Sequence, residues 1–454
     1  MLLIKNANII TMDKERKRWT DGAVLVDGTE IADIGDSQVL SKKYPDAEVF
    51  DASGKIIIPG LINAHTHIFQ ILYRGLGDDV PLLDWLKKCI WPMSLNLTAE
   101  DCYWAAMLSA VEMLKCGTTT FVDSHYINLD LRCQDKIAEA VIESGIRGIL
   151  GRGTVNGAGA PEAARESVEQ AVDEACRVIE TYNGAAEGRL AVRVEPLNEA
   201  LATADMIKAM SDVARRYNTG MNMHISEALP RVEQFKKDHG VSPIKYLSEL
   251  GVLGPELLLA HCCWIDDEDI DLLAESNTAV AHNPVSNQFL ADGVCPVPKL
   301  LAKGVRVTMG PDGAASNNNN NMFQVIKAAP LLHKLSNLKA TALTAEKSFE
   351  MVTVDAAAAL NMSDRIGSLE IGKKADLVVI DPLCSVMVPS FNLISNLVYA
   401  GDNELVESVM VNGEFVMKDK KILTFDEAEI LKQADKAAWK LAKISNVMNL
   451  VGKN

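Results

Sequence analysis

From about residue 58 to residue 312 the chain repeats one pattern: a short apolar run bounded by turn residues, then a longer helical stretch. The runs include "GTTTFVDSH", "LAVRVEPLN", "GMNMHISE", "ELLLAHCCWI", "NTAVAHNP" and "RVTMGPDG"; "AEDCYWAAMLSAVEMLKCG" and "TADMIKAMSDVARRYN" are typical separators. A strand with no polar face must be covered on both sides, and helices between successive strands make those strands parallel. About eight such repeats in roughly 300 residues predict an α/β fold, a (β/α)8 barrel whose active residues cluster where strands end and loops begin.

The two chain ends have a different texture. Residues 1–56 read as short strands and turns ("LLIKNANIITMD", "GAVLVDGTEIADIG", "EVFDASGKIIIPG"), and "IGSLEIGKKADLVVIDP" and "ESVMVNGEFVMKDKKI" resume it near the C-terminus. Asp-Gly and Asn-Gly pairs mark hairpins in both. Each piece is too small for its own core, so together they predict one discontinuous β-sandwich domain. The expected division is sandwich over 1–57, barrel over 58–366, sandwich again over 367–424 and a C-terminal helix over 425–454.

Several strands finish in a potential ligand: His65 and His67 in "PGLINAHTH", then His125, His224, His261, His282 and Asp312. Six of the eight histidines belong to this set. In an extended segment residues i and i+2 point the same way, so His65 and His67 can reach one point. Zinc or ferrous iron needs at least three protein ligands and an open position for water, and His224 with Asp312 completes a three-His, one-Asp set. Glu227, three residues after His224 in "HISE", is the natural proton carrier beside an activated water, the alternative being a solvated loop carboxylate. His261 in "LLLAHCC" either assists that water or is a buried structural histidine. The nine cysteines, with no CxxC spacing, argue against a disulfide framework or a thiolate metal site. Cys262 and Cys263 read as packing residues.

These segments together resemble the amidohydrolase superfamily, in the branch of S-adenosylhomocysteine/methylthioadenosine deaminases and triazine hydrolases. The likeness runs over nearly the whole chain, through "PGLINAHTH", "RGLGDDVPLLDWLKKCIWP", "CGTTTFVD", "HISE", "LLLAHC", "AHNPVSN", "PDGAASNNN" and "IGSLEIGKKADLVVID". It implies a TIM-like barrel in which His65, His67, His224 and Asp312 bind one divalent metal per chain, zinc or, in some relatives, iron. Glu227 would be the general acid/base, His261 would assist the water, and Asp312 would also carry a proton. Relatives with two metals add a carboxylated lysine; "VRVEPLN" offers none, which favours a single metal.

The implied reaction is hydrolytic deamination of an amino-substituted N-heterocycle, releasing ammonia. Expulsion of chloride or an alkylamine from a triazine, deamination of an adenosine derivative, and a silent structural role are the alternatives. Where nucleoside deaminases of the branch place a ribose-contacting glutamate after "IWP", this chain has Ser94. The region matching their "GPHSPY" is "VEPLNEAL" around Glu195–Asn198. Both departures point to a free heterocycle. Phe69, Trp85 and Trp91 are the candidate wall against a flat ring, or else core; His125, Arg152 and Asn287 are further pocket candidates, His125 being equally readable as structural. The run "SNNNNN" reads as a polar turn over the metal.

The net charge of −16 and the lack of a basic stripe exclude nucleic-acid or anionic-membrane binding as the main role. The N-terminus shows neither a signal-peptide pattern nor a span, so a cytoplasmic enzyme is expected. The resemblance adds a homodimer or a higher homo-oligomer.

Overall fold

The computed structural model describes residues 1–452. Eight strands, Leu61–Thr66, Thr118–Asp123, Arg147–Thr154, Leu190–Pro196, Gly220–Ile225, Leu257–His261, Ala279–His282 and Val307–Met309, pair in chain order. Each neighbouring pair is parallel. Just past the last strand, Asp312 N donates to His65 O (3.1 Å), drawing the eighth strand against the first. Gly310 permits that approach, because a Cβ there would lie 2.4 Å from His65 O.

Nearly every barrel-strand residue is buried, which is why the strands read as continuous apolar runs. Arg147–Thr154, "RGILGRGT", is the strand that such runs do not pick out. Its arginines are both buried, and its glycines leave room for neighbours: a Cβ on Gly151 would meet Asp123 O at 2.1 Å and Glu195 Oε2 at 2.9 Å. The helices between strands begin at strong caps. Thr98 with Asp101, Ser167 with Gln170 and Asp266 with Asp269 each form a reciprocal capping box.

The chain ends meet in one nine-stranded mixed sheet, where Ile56–Pro59 pairs antiparallel with Leu377–Ile380. The sheet rolls over its own apolar face instead of splitting into two separately bonded sheets. Ile31 N donates to Lys373 O (2.9 Å) and Ala375 N to Thr29 O (3.0 Å), bringing the far hairpin back to the C-terminal segment. Ile4, Ile9, Val24, Val26, Ile57, Leu377, Val379 and Met410 fill the roll. The Arg147 guanidinium ties it to the barrel by donating Nε and Nη2 to the two carboxylate oxygens of Asp376 (2.9 and 3.0 Å). Helix Glu427–Ile444 packs on helix Ala99–Lys115.

Candidate active site

Five polar side chains from four strand ends converge at the C-terminal mouth of the barrel, the position the (β/α)8 architecture reserves for chemistry. His65, His67, His224, His261 and Asp312 are all buried. Three of the turns that aim them are left-handed at residues other than glycine: Ser226 (φ 49°), His261 (φ 74°) and Asp312 (φ 65°). Such backbone costs on the order of 1–3 kcal/mol each and persists only where surrounding bonds enforce it. Here Trp264 N holds Ser226 O (3.0 Å), Cys262 N holds Ile225 O (3.1 Å), and Asp312 N holds His65 O.

Hydrogen bonds around the rim determine which ring nitrogen faces inward. His67 Nδ1 lies 2.7 Å from Ser124 O; a carbonyl only accepts, so Nδ1 carries the proton and Nε2 presents its lone pair. His224 Nδ1 lies 3.3 Å from Glu195 Oε1, which directs its Nε2 inward too. The two Nε2 atoms are 3.1 Å apart. His67 Nε2 and His65 Nε2 lie 3.2 and 3.3 Å from Asp312 Oδ1. Lone pairs aimed at one another in a buried space are unfavourable without a cation among them, and His65 Nε2 and Asp312 Oδ1 have no hydrogen-bond partner. One donor atom from each of His65, His224, His261 and Asp312 lies within 4.8 Å of all the others. The arrangement suits a divalent metal with imidazole and carboxylate ligands.

Electrostatics divide the imidazoles. Burial pushes His65 down to about 3, against the pull of Asp312. At His67 burial also opposes a charge, but Asp312 and Ser124 O outweigh it and raise the ring to about 9, so that without a metal a proton takes the Nε2 lone pair a cation would use. Burial opposes the charge of Asp312, but the His65 and His67 rings beside it outweigh burial and hold its carboxyl well below the usual carboxylate range. Burial raises Glu195, against the nearby histidines and the Ser124 hydroxyl, which donates to it at 2.6 Å. The carboxylate nearest the metal group is therefore ionised, as a ligand must be.

Above this group a narrow cleft, with only about 40 Å3 of room for water-sized bodies, is lined by Trp85, Trp91, Tyr126, Asn198, Glu227 and Arg231, among others. Glu227 Oε1 faces His261 Nε2 at 3.6 Å. Behind His261, Asn287 Nδ2 donates to Nδ1 at 2.9 Å, leaving Nε2 as the N–H directed at Glu227. Trp85 is pinned over the cleft by donating Nε1 to Ala315 O (3.1 Å).

The structure thus gathers His65, His67, His224, His261, Asp312, Glu227, Trp85 and Trp91 and places the other expected ring contacts elsewhere. Phe69 is fully buried, packing edge-on to His67, His125 and Tyr126. Ser94 is sealed beside Tyr73, their hydroxyls 3.3 Å apart. Arg152 is spent on Glu166 (2.8 Å). His125 is fully buried, outside the cleft lining, and Asn287 acts through His261 rather than at the cleft.

Six participants escaped the sequence reading. Glu195 and Ser124 orient His224 and His67, Ser286 donates to Asp312 Oδ2 (2.6 Å), and Tyr126, Asn198 and Arg231 belong to the cleft wall. Glu195 had a signal, as a carboxylate in an otherwise apolar strand; the others looked like ordinary polar loop residues.

The model of the Amidohydrolase family matches residues 56–416. The chain belongs to this family. A 5-methylthioadenosine/S-adenosylhomocysteine deaminase of Thermoanaerobacter pseudethanolicus is 38% identical over 440 residues, 97% of this chain and 99% of that protein. A 5'-deoxyadenosine deaminase of Methanobrevibacter smithii is 37% identical over 447 residues, 98% of this chain and 99% of that one. Among solved structures, a zinc-bound adenosine deaminase from Xanthomonas campestris superposes with TM-score 0.91 at 27% identity, covering 97% of this chain and 98% of that one. A triazine hydrolase from an Arthrobacter superposes with TM-score 0.89 at 23% identity, over 96% and 99% of the two chains, a likeness of fold. The chemistry of this chain is hydrolysis at the C–N bond of a cyclic amidine.

Proposed function

We propose that this amidohydrolase deaminates an adenosine derivative, replacing the exocyclic amino group of its purine ring with oxygen. The observation that carries the proposal is the Glu227–His261 pair, set 3.6 Å apart on the cleft wall directly over the buried His/Asp group. Full-length similarity to deaminases of adenosine derivatives supports a nucleoside over a free base. Ser94 is not at the cleft, so its departure from the family's glutamate carries no weight against a ribose. Asn198 and Arg231 supply polar atoms on the wall for the sugar side of the substrate.

In this reading His65, His67, His224 and Asp312 hold the metal, which when bound supplies Lewis acidity that brings the pKa of water close to neutrality. Glu227 takes a proton from the attacking water and delivers it to the ring nitrogen beside the carbon under attack. His261, with Asn287 on its Nδ1, donates Nε2–H to the oxygen as charge builds on it. Asp312, kept ionised by its two histidines, accepts the hydroxyl proton as the tetrahedral carbon collapses and passes it to the amino group, which leaves as ammonia. Trp85, Trp91 and Tyr126 enclose the flat ring and exclude bulk water.

Ammonia release is the test, on 5'-deoxyadenosine, methylthioadenosine, S-adenosylhomocysteine, adenosine, free aminopurines and aminotriazines, with chloride release from a chlorotriazine in parallel. Turnover of the nucleosides above the free bases is expected. Activity confined to free heterocycles, or chloride release in place of ammonia, overturns the substrate assignment.

Homo-oligomerisation and a cytoplasmic location belong to the same proposal. Exposed Leu383, Val388 and Phe391 offer an apolar patch for self-association, and all nine cysteines are free, which suits a reducing compartment. Among the described residues no helix is long and apolar enough to cross a membrane. Light scattering on the purified protein decides the first point.

A further inference from the structure

A second ligand cluster lies behind the wall of the active site. Cys102, His125 and Cys133 come from helix Ala99–Lys115, the loop after strand Thr118–Asp123, and the first position of helix Cys133–Ser144. All three are buried, at 0–1% exposure. Their donor atoms lie within 4.8 Å of one another. Independently, neither nitrogen of the His125 ring has a hydrogen-bond partner. An imidazole with both nitrogens unsatisfied in a sealed interior is costly, and it is the mark of a missing partner.

We infer that Cys102, Cys133 and His125 form a second, non-catalytic metal site for a thiophilic divalent cation of the zinc class. Two thiolates and a neutral imidazole around a doubly charged cation sum to zero charge, the only balance a fully buried site tolerates without a further counter-ion. A singly charged cation such as cuprous copper would leave a net buried negative charge, which favours the divalent ion. Binding displaces the two thiol protons to solvent and involves no oxidation.

The site has a structural purpose. His125 directly follows Ser124, whose carbonyl holds His67 Nδ1, and its ring packs at 5.2 Å on Phe69, which in turn packs on His67. A cation bridging the two helices and this loop would fasten the backing of a catalytic ligand to the outer helical layer. The cysteine positions, 102 and 133, are too far apart in the chain to form any recognisable metal-binding spacing, so only the fold brings them together.

The experiment uses the full chain, loaded with zinc or cobalt and dialysed. Metal analysis is expected to find two equivalents per chain, falling to one in Cys133→Ser and in Cys102→Ser. Cobalt-substituted wild type is expected to show a sulfur-to-cobalt charge-transfer band in the near ultraviolet, absent from either variant. The His/Asp group at the cleft has no thiolate and cannot produce that band, so the readout is independent of catalysis. Where the serine variants fail to fold, His125→Ala and the wild-type band decide. A single equivalent without a thiolate band in folded wild type overturns the proposal. So does an intact mass two hydrogens light with Cys102 and Cys133 joined as a disulfide.

Discussion

Glu227 owes its direction to its neighbour. Strand Gly220–Ile225 would carry a side chain two residues past its end along the barrel axis, but Ser226 in the left-handed region turns the chain so that the carboxylate faces His261. In the proposed mechanism Glu227 moves protons and holds no metal, so Glu227→Gln is expected to keep wild-type metal content while kcat falls by about 10^2- to 10^4-fold. Metal analysis beside steady-state kinetics checks this, and near-wild-type turnover sinks the assignment. Asn287 acts one step back, by fixing the proton of His261 on Nε2. In Asn287→Ala that orientation is lost, and kcat should drop about tenfold at unchanged metal content, the worth of one buried hydrogen bond. Near-wild-type kcat in the folded variant would mean that Asn287 serves packing alone.

At the scale of elements, helix Met322–Ser336 is locked to strand Ala279–His282 by an imidazole pair, His333 Nε2 and His282 Nε2 at 3.2 Å. Burial lowers His333 from 6.5 to about 4. The unfolded chain therefore binds a proton at His333 that the native chain refuses between pH 6.5 and 4. Its contribution is fully present above pH 6.5 and is lost as pH falls through that window, a loss of about 2–3 kcal/mol. In His333→Leu that part of the pH dependence should vanish. Urea midpoints at pH 7, 5.5 and 4.5 for both proteins isolate the difference, and identical slopes would contradict it. The elements also show why pattern reading has a limit. Leu257–His261 is legible because it is apolar throughout, whereas Arg147–Thr154 buries two arginines whose partners, Asp376 and Glu166, lie 229 and 14 residues away.

The molecule as a whole is held across its domain boundary by Arg147, which also reaches Asn412 Oδ1 at 3.2 Å while Asn412 N donates to Asp376 Oδ1 at 2.7 Å. A guanidinium at 1% exposure cannot be left unpaired cheaply. Asp376→Ala is expected to cost about 3–5 kcal/mol, the penalty of an uncompensated buried charge, and to loosen the rolled sheet from the barrel. Thermal unfolding monitored by calorimetry reads it; a loss under about 1 kcal/mol would show that the pair is dispensable. Because the metal group sits at the opposite end of strand Arg147–Thr154, the metal content of the folded variant should be unchanged.

The barrel and the places of His65, His67 and Glu227 at its mouth were determined by the sequence itself, because each is written in local terms: apolar runs, an i,i+2 spacing, a carboxylate three residues past a strand-end histidine. The tertiary structure alone decided everything that depends on residues far apart in the chain. It turned Ser94, Arg152 and His125 away from the cleft and put Asn287 behind His261. It made Glu195 the partner of His224 and closed the two chain ends into one mixed sheet. A side chain's neighbours are chosen by how strands and helices pack, and no local pattern records which partner, of many of equal chemistry, will be the one within 3 Å.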